Sequence, residues 1–334
     1  MLTHQRFASQ RRALLRAIGL APCLGWVAAS AADRNLRIGI LLSGFEPNYV
    51  GPSEALIEGL RELGYVEGKN LTVDRRYAQL RGEQMLPIAR ELIALRPDIL
   101  ITGCTGSTRA AMQATSRIPI VMASVADPVG QGFVRNLAQP ATNVTGRSSQ
   151  SRELVPKVLE LLRAGVPSAT RVAVFVNTLN TVHEALWSDT VAAARPLAVT
   201  PVRVEVHGPA GLDAALEGLR QVQAGALLVL PDDPMTFNLR RRVIDTANQR
   251  KLPALYSMRE FVAEGGFMSY GENYPDSYRR LGSYVDKLAR GANAAELPIE
   301  QPTRFQLAVN LKTAALLGLT PSRTLLMRAD ELIH

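Results

Sequence analysis

Residues 99–112 read "ILITGCTGSTRAAM". A short apolar run, Ile99-Leu100-Ile101, stops in Gly103-Cys104-Thr105-Gly106-Ser107, and an Ala-rich helical pattern follows at once. Strand, small polar turn and helix in direct succession form the repeating unit of a parallel α/β sheet. The turn carries no bulky side chain, so backbone N–H groups and hydroxyls lie open at a helix N-terminus, which suits a small anionic group. An ordinary strand-to-helix turn accounts for these residues equally well, so the choice rests with the rest of the chain.

Outward from this unit the pattern repeats. Upstream are strands at "LRIGILL" (36–42) and "NLTVDRRY" (70–77), with helices bearing Leu56, Ile57, Leu60 and Leu63 on one face, stopped by Gly64, and spanning "MLPIARELIAL" (85–95). Downstream are strands at "RIPIVMA" (117–123) and "NVTG" (143–146). After a helix over 152–163 the set restarts, with strands at "RVAVFVN" (171–177), "VRVEV" (202–206), "ALLVL" (226–230), "PALY" (253–256) and "GFMSY" (266–270). Two successive sets of five strands, alternating with helices, predict an α/β protein of two doubly wound parallel-sheet lobes. The strands are short and nearly all apolar, as helices on both faces of a sheet require. Ligands of such sheets bind beyond the carboxyl ends of the strands. That rule selects Ser43 to Phe45, Cys104 to Ser107, Ser124 to Pro128, Asn177 to Asn180, Asp232-Asp233 and Tyr256-Ser257.

The 334 residues carry 38 Lys and Arg against 30 Asp and Glu. Residues 1–31 read as a signal peptide: Arg11-Arg12 and Arg16 precede an apolar stretch from Ala17 to Ala29, and Ala29-Ser30-Ala31 predicts cleavage after Ala31. The arginine pair resembles a twin-arginine signal, with Sec export the alternative. Cys23 in "LAPC" is a poor lipoprotein box because Pro22 precedes it, so the expectation is a free periplasmic protein. Without that segment's four arginines the net charge falls from +8 to +4, with no basic block interleaved with aromatics, which argues against nucleic acid. Cys104 is the one cysteine beyond the leader, so no internal disulfide is expected and the core must supply the stability.

Several chemistries find no frame. There is no G-x-G-x-x-G after the first strand, no P-loop and no G-x-S-x-G elbow. His4 and His334 lie at the ends, and His183 and His207 have no metal-ligand spacing partner, so no metal or cofactor is expected. Cys104 lacks a base at recognisable spacing and reads as a small pocket-wall residue rather than a nucleophile. Asp232-Asp233, between two prolines, reads as paired acids, as a turn with an N-cap for the helix from Met235, or as a carboxylate holding a ligand ammonium.

Six stretches resemble one family: "ELGYVEGKNLTVDRRYA" (62–78), "IPIVMASVADPVGQGFVRNLAQPATNVTG" (118–146), "ALLVLPDDP" (226–234), "RRVIDTANQRKLPALYSMREFVAEGGFMSYG" (241–271), "YRRLGSYVDKLARGANAAELPIEQPTRFQLAVNLKTAALLGL" (278–319) and "LLMRADELI" (325–333). Together they are similar to the ABC-transporter substrate-binding proteins related to tryptophan-transport binding proteins, with a type I periplasmic binding fold. The resemblance implies an exported, non-enzymatic receptor that closes on a small molecule and delivers it to an inner-membrane ABC permease. Characterised relatives bind aromatic amino acids. It also implies a three-strand hinge crossed near Thr145–Ser148, Tyr270–Glu272 and Gln301–Arg304. Lobe one is then 35–146 plus 272–301, and lobe two 147–271 plus 302–334, in a monomer. Gly103 to Ser107 departs from the family's Gly-Thr-Pro-Ala type of loop, and Tyr270-Gly271-Glu272-Asn273 departs from its Tyr-Gly followed by Pro-Asp, so the ligand does not follow from the family.

On this reading Thr105, Gly106 and Ser107 hold a ligand carboxylate, beside Cys104. Ser43 and Phe45 form the near wall, and Ser124 and Asp127 the floor. Asn177 and Asp232 take an ammonium, Tyr256 packs or hydrogen-bonds, and Tyr270 lies at the hinge. Asp127, before Pro128, serves equally as a turn residue. The competing reading is an enzyme on the same scaffold, a racemase or hydrolase using Cys104 or Asp232.

Overall fold

The computed structural model describes residues 35–334. The expected leader, its cleavage site and Cys23 fall outside the described residues. The first lobe begins with β1 (Leu36–Leu42), α1 (Val50–Glu62), β2 (Leu71–Tyr77), α2 (Met85–Ala94), β3 (Ile99–Thr102), α3 (Thr105–Ala114), β4 (Ile120–Ala126) and β5 (Val144–Ser149). These five strands form one parallel sheet in the order β2-β1-β3-β4-β5. Interior β1, β3 and β4 are buried almost throughout because helices cover both faces, whereas edge strand β2 is half-buried beyond Leu71.

The chain then builds the second lobe: α4 (Ser151–Gly165), β6 (Arg171–Asn177), α5 (His183–Ala194), β7 (Thr200–Val206), α6 (Gly208–Gly218), β8 (Ala226–Val229), α7 (Pro234–Asn238), α8 (Arg240–Gln249), β9 (Ala254–Tyr256), α9 (Arg259–Ala263) and β10 (Met268–Gly271). After α10 (Tyr274–Ala289) come β11 (Gln306–Asn310), α11 (Leu311–Leu316), α12 (Arg323–Arg328) and β12 (Glu331–Ile333). The second sheet has seven strands, β12-β11-β10-β9-β8-β6-β7, and all its pairings are parallel except β10 with β11. The two α/β lobes of the sequence reading are therefore present, the second two strands larger than its five-strand pattern.

Two strand limits differ from the reading in a way that matters for the cleft. β4 starts at Ile120, one residue after Pro119, which cannot donate to a ladder, and it runs on to Ala126. β5 runs through Gly146-Arg147-Ser148-Ser149 past the glycine that looked like its stop, with a register irregularity against β4 between Met122 and Val125. Polar residues are tolerated there because the chain is passing from one lobe towards the other.

Helix α10 follows β10 in sequence but packs on the first lobe, against α1, β4 and β5. Gly59 and Gly282 face each other at that contact. A Cβ on Gly59 would overlap the Arg279 carbonyl, and one on Gly282 would stand 2.9 Å from the Gly59 backbone, so both positions need glycine for the helices to meet. The return passage is pinned by a parallel bridge between Arg147 and Glu300 and by Tyr284, whose hydroxyl donates to the Pro298 carbonyl at 2.8 Å. Three chain passages thus link the sheets, after Ser149, after Gly271 and before Gln306.

Candidate functional site

The carboxyl ends of β3, β4 and β5 face those of β8, β9 and β10 across a cavity of about 110 Å³. Asp232, Asp233 and Glu272 line it, and among the described residues no Lys, Arg or His does. Each carboxylate has a different occupation. Asp233 is the N-cap of α7: its Oδ1 accepts from Met235 N–H at 3.3 Å and from Asn177 Nδ2 at 2.9 Å, and its Oδ2 accepts from Thr236 N–H at 3.3 Å. These bonds leave it no role towards a ligand. Glu272 accepts from the Ser124 and Ser277 hydroxyls and lies 4.0 Å from an Arg147 nitrogen.

Asp232 differs. It sits at φ +59°, a left-handed conformation that aspartate tolerates better than most residues. The Ser149 and Ser151 hydroxyls both donate to its Oδ2, the former at 3.2 Å, and Asn180 Nδ2 holds its carbonyl at 2.8 Å. Among the described residues, none donates a hydrogen bond to Oδ1. Burial, assisted by the negative charge of Glu272, pushes this carboxyl up to about 6, against the lowering effect of the serine hydroxyls. A half-buried carboxylate with one open oxygen beside a second carboxylate attracts an ammonium.

The Asp232 loop is braced from behind by His183. Its Nδ1 accepts from Asn177 N–H at 2.9 Å while Nε2 stands 3.1 Å from the Pro231 carbonyl, so the proton lies on Nε2. Burial lowers the His183 pKa, against the opposing pull of Asp233. A second ring proton would destroy the Nδ1 acceptor. This contribution to stability is therefore full above the ordinary histidine value of about 6.5 and is lost as pH falls below it. The expected result is a stability drop between pH 7 and pH 5 in urea unfolding that His183→Gln reduces, since glutamine offers one acceptor and one donor without titrating. Equal drops in both proteins would contradict it.

Aromatic rings supply much of the remaining wall. Tyr49 of the first lobe and Phe237 of the second meet edge to face across the cleft at 6.0 Å, and Phe237 meets Tyr274 at 5.9 Å. Tyr256 stacks on Phe261, and Tyr270 leans on Phe305.

The site residues expected from the sequence divide into two groups. Cys104, Thr105, Ser124, Asp232, Tyr256 and Tyr270 line this cavity. The other six do not, and each has a local reason. Ser107 is consumed by helix capping: its hydroxyl accepts from Cys104 N–H at 3.0 Å and its own N–H points at the Cys104 sulfur, so it offers nothing to a ligand. Gly106 opens instead onto a neighbouring groove, as do Ser43, whose hydroxyl lies 3.4 Å from that of Tyr49, and Asn177, whose side chain is spent on Asp233 and Leu179 N–H. Phe45 is 38 % exposed, and its contribution is a backbone N–H donated across the cleft. Asp127 accepts from Gly130 N–H and from Arg152 at 3.3 Å, on another face.

Sequence reasoning missed Tyr49, Ser149, Ser151, Phe237, Glu272 and Tyr274. Ser149 and Ser151 follow from the strand-end rule once β5 is extended to its true limit. Glu272 and Tyr274 follow from it at β10. Tyr49 and Phe237 lie on helical segments away from strand ends and had no such signal.

The lobes touch across the cleft through Asn238. Its Oδ1 accepts from Phe45 N–H at 2.8 Å and from Asn48 Nδ2 at 2.9 Å, while its Nδ2 reaches the Tyr49 hydroxyl at 3.4 Å. Arg240 donates to Asn48 Oδ1 at 2.8 Å beside it. These bonds join the two lobes on one side of the cleft.

The family profile for ABC transporter substrate binding proteins matches residues 48–333. The chain belongs to that family. A tyrosine-binding protein of Clostridioides difficile (strain R20291) is 25 % identical over 306 residues, covering 90 % of this chain and 87 % of the relative. Among solved structures, a conserved domain protein of Vibrio cholerae is 27 % identical with a TM-score of 0.84, over 90 % of this chain and all of the other. An ABC domain from Streptococcus pneumonia in complex with L-Trp has a TM-score of 0.83 at 22 % identity, with the same coverage. Among the described residues of this substrate-binding protein no helix is long and apolar enough to cross a membrane.

Proposed function

We propose that this substrate-binding protein is the periplasmic receptor of an ABC importer and that it captures an amino acid with an aromatic side chain between its lobes. The observation that carries the reading is Asp232: a half-buried carboxylate with an open oxygen, in a cleft lined by no basic side chain among the described residues and walled by Tyr49, Phe237 and Tyr274. The ammonium binds at Asp232. The carboxylate binds at the start of α3, where Thr105 borders the cavity and the first N–H groups of the helix have no intrahelical acceptor. The name of the Clostridioides difficile relative supports the ligand class. Lobe one comprises 35–146 plus 272–301 and lobe two 147–271 plus 302–334. The receptor works as a monomer, hinges at the three passages and presents its closed form to a permease in the inner membrane. No turnover is assigned, because the Cys104 thiol serves as the cap of α3 and contacts Ser107 rather than a base.

The test is native mass spectrometry of the freshly purified protein, followed by calorimetry with the standard amino acids. An aromatic amino acid released on denaturation, and rebinding with release of heat, is expected. A retained solute of another class, with no response to any aromatic amino acid, would reject the reading.

A further inference from the structure

Four buried side-chain polar atoms among the described residues lack a hydrogen-bond partner, and only one of them, the Tyr256 hydroxyl, belongs to a residue lining the cleft. Five other hydroxyls of the wall have protein partners: Ser124 has Glu272, Ser149 and Ser151 have Asp232, Thr236 has the Asp233 carbonyl and Tyr274 has Tyr278. Tyr256 ends β9, is fully buried, and lies flat on Phe261 with ring centroids 4.6 Å apart and planes at 17°. Gly266 leaves room for the ring edge: a Cβ there would stand 2.6 Å from Tyr256 Cε2. A phenylalanine would stack identically and would carry no orphaned hydroxyl, and burying a polar group unpaired is costly. The hydroxyl thus calls for a partner that the described residues do not supply, on a residue that lines the cleft.

We infer that Tyr256 selects the ring of the ligand: its hydroxyl pairs with a hydrogen-bonding group on that ring, a phenolic O–H or an indole N–H, which a plain phenyl ring lacks. This rests on the aromatic amino-acid reading above and adds the chemistry at the far end of the ligand. A site built to hydrogen-bond a ring substituent discriminates strongly against the analogue without it, because the site's own group is then left unpaired.

Calorimetry of the native protein and of Tyr256→Phe with L-tyrosine, L-tryptophan and L-phenylalanine tests it. The native protein is expected to bind tyrosine or tryptophan about tenfold or more tighter than phenylalanine, and the two arms separate phenol from indole. Tyr256→Phe should erase most of that ratio by weakening the preferred ligand, leave phenylalanine binding unchanged or tighter, and melt no lower than the native protein when empty. An unchanged ratio in Tyr256→Phe, or a native protein that binds all three equally, overturns the inference while the aromatic reading stands. Binding of none of the three overturns that reading, and the inference with it.

Discussion

Replacing Asp232 with asparagine is expected to weaken binding of L-tyrosine or L-tryptophan, whichever the native protein prefers, by about 30-fold to several-thousand-fold. Truncating one partner of a desolvated charge pair costs about 2–5 kcal/mol. The asparagine keeps the shape and the contacts of Ser149 and Ser151 but presents no negative charge to an ammonium. The native carboxyl, held at about 6 by burial and by Glu272, also dictates a pH profile. An ammonium stabilises the carboxylate, so the bound form has a lower pKa than the empty one. Affinity should therefore be flat above about pH 7 and fall as pH drops through 6, by up to tenfold per unit. Binding at pH 6 should release protons, visible as a buffer-dependent heat. The empty protein behaves in the opposite sense: with its pKa raised above the unfolded value, Asp232 favours folding below about pH 4, and this contribution is lost as pH rises through 6. Native affinity and a native pH profile in the asparagine variant would remove Asp232 from the site.

Gly44→Val is the second large effect, and it acts on closure rather than on the ligand. A Cβ at Gly44 would occupy the space of the Asn238 carboxamide, the group that joins Phe45, Asn48 and Tyr49 to the second lobe. The closed form then becomes inaccessible without displacing that side chain. A ligand that bridges both lobes binds tightly only to the closed form, so affinity should fall by the cost of leaving closure incomplete, about a hundredfold. Small-angle scattering with saturating amino acid should show a larger radius of gyration than the native complex. Asn238→Ala loses the bonds without adding a clash and should cost about tenfold, at roughly 0.5–1.5 kcal/mol per hydrogen bond. The pair must be non-additive: Gly44→Ala should be harmful in the native background and nearly silent beside Asn238→Ala, because its obstacle is gone. A Gly44→Val protein that compacts and binds like the native one would show that Asn238 does not hold the lobes together.

The position of Asn238 shows where sequence reasoning stops. It lies on α7, 190 residues from Asn48, and nothing local marks it as an interlobe contact. Asp232 and Tyr256 are different. Both end segments whose apolar, β-rich pattern is plain in one dimension, and ligands gather at strand ends in this architecture whatever their identity. Ser107 illustrates the intermediate case. Its type and place at the start of α3 were read correctly, but its hydroxyl had two uses, a ligand and a cap, and the cap was nearer.

Hydrophobic periodicity, turn residues and strand–helix alternation are short-range properties, and they settled by themselves that this chain folds as two α/β lobes. The antiparallel entry of β11, the return of α10 to the first lobe through Gly59 and Gly282, and the division of acidic side chains into cap, network and open carboxylate were decided only in three dimensions. Each depends on which distant groups compete for the same hydrogen bond or the same space. A serine, an aspartate or a glycine carries several local options, and only its neighbours in the folded protein leave it with one.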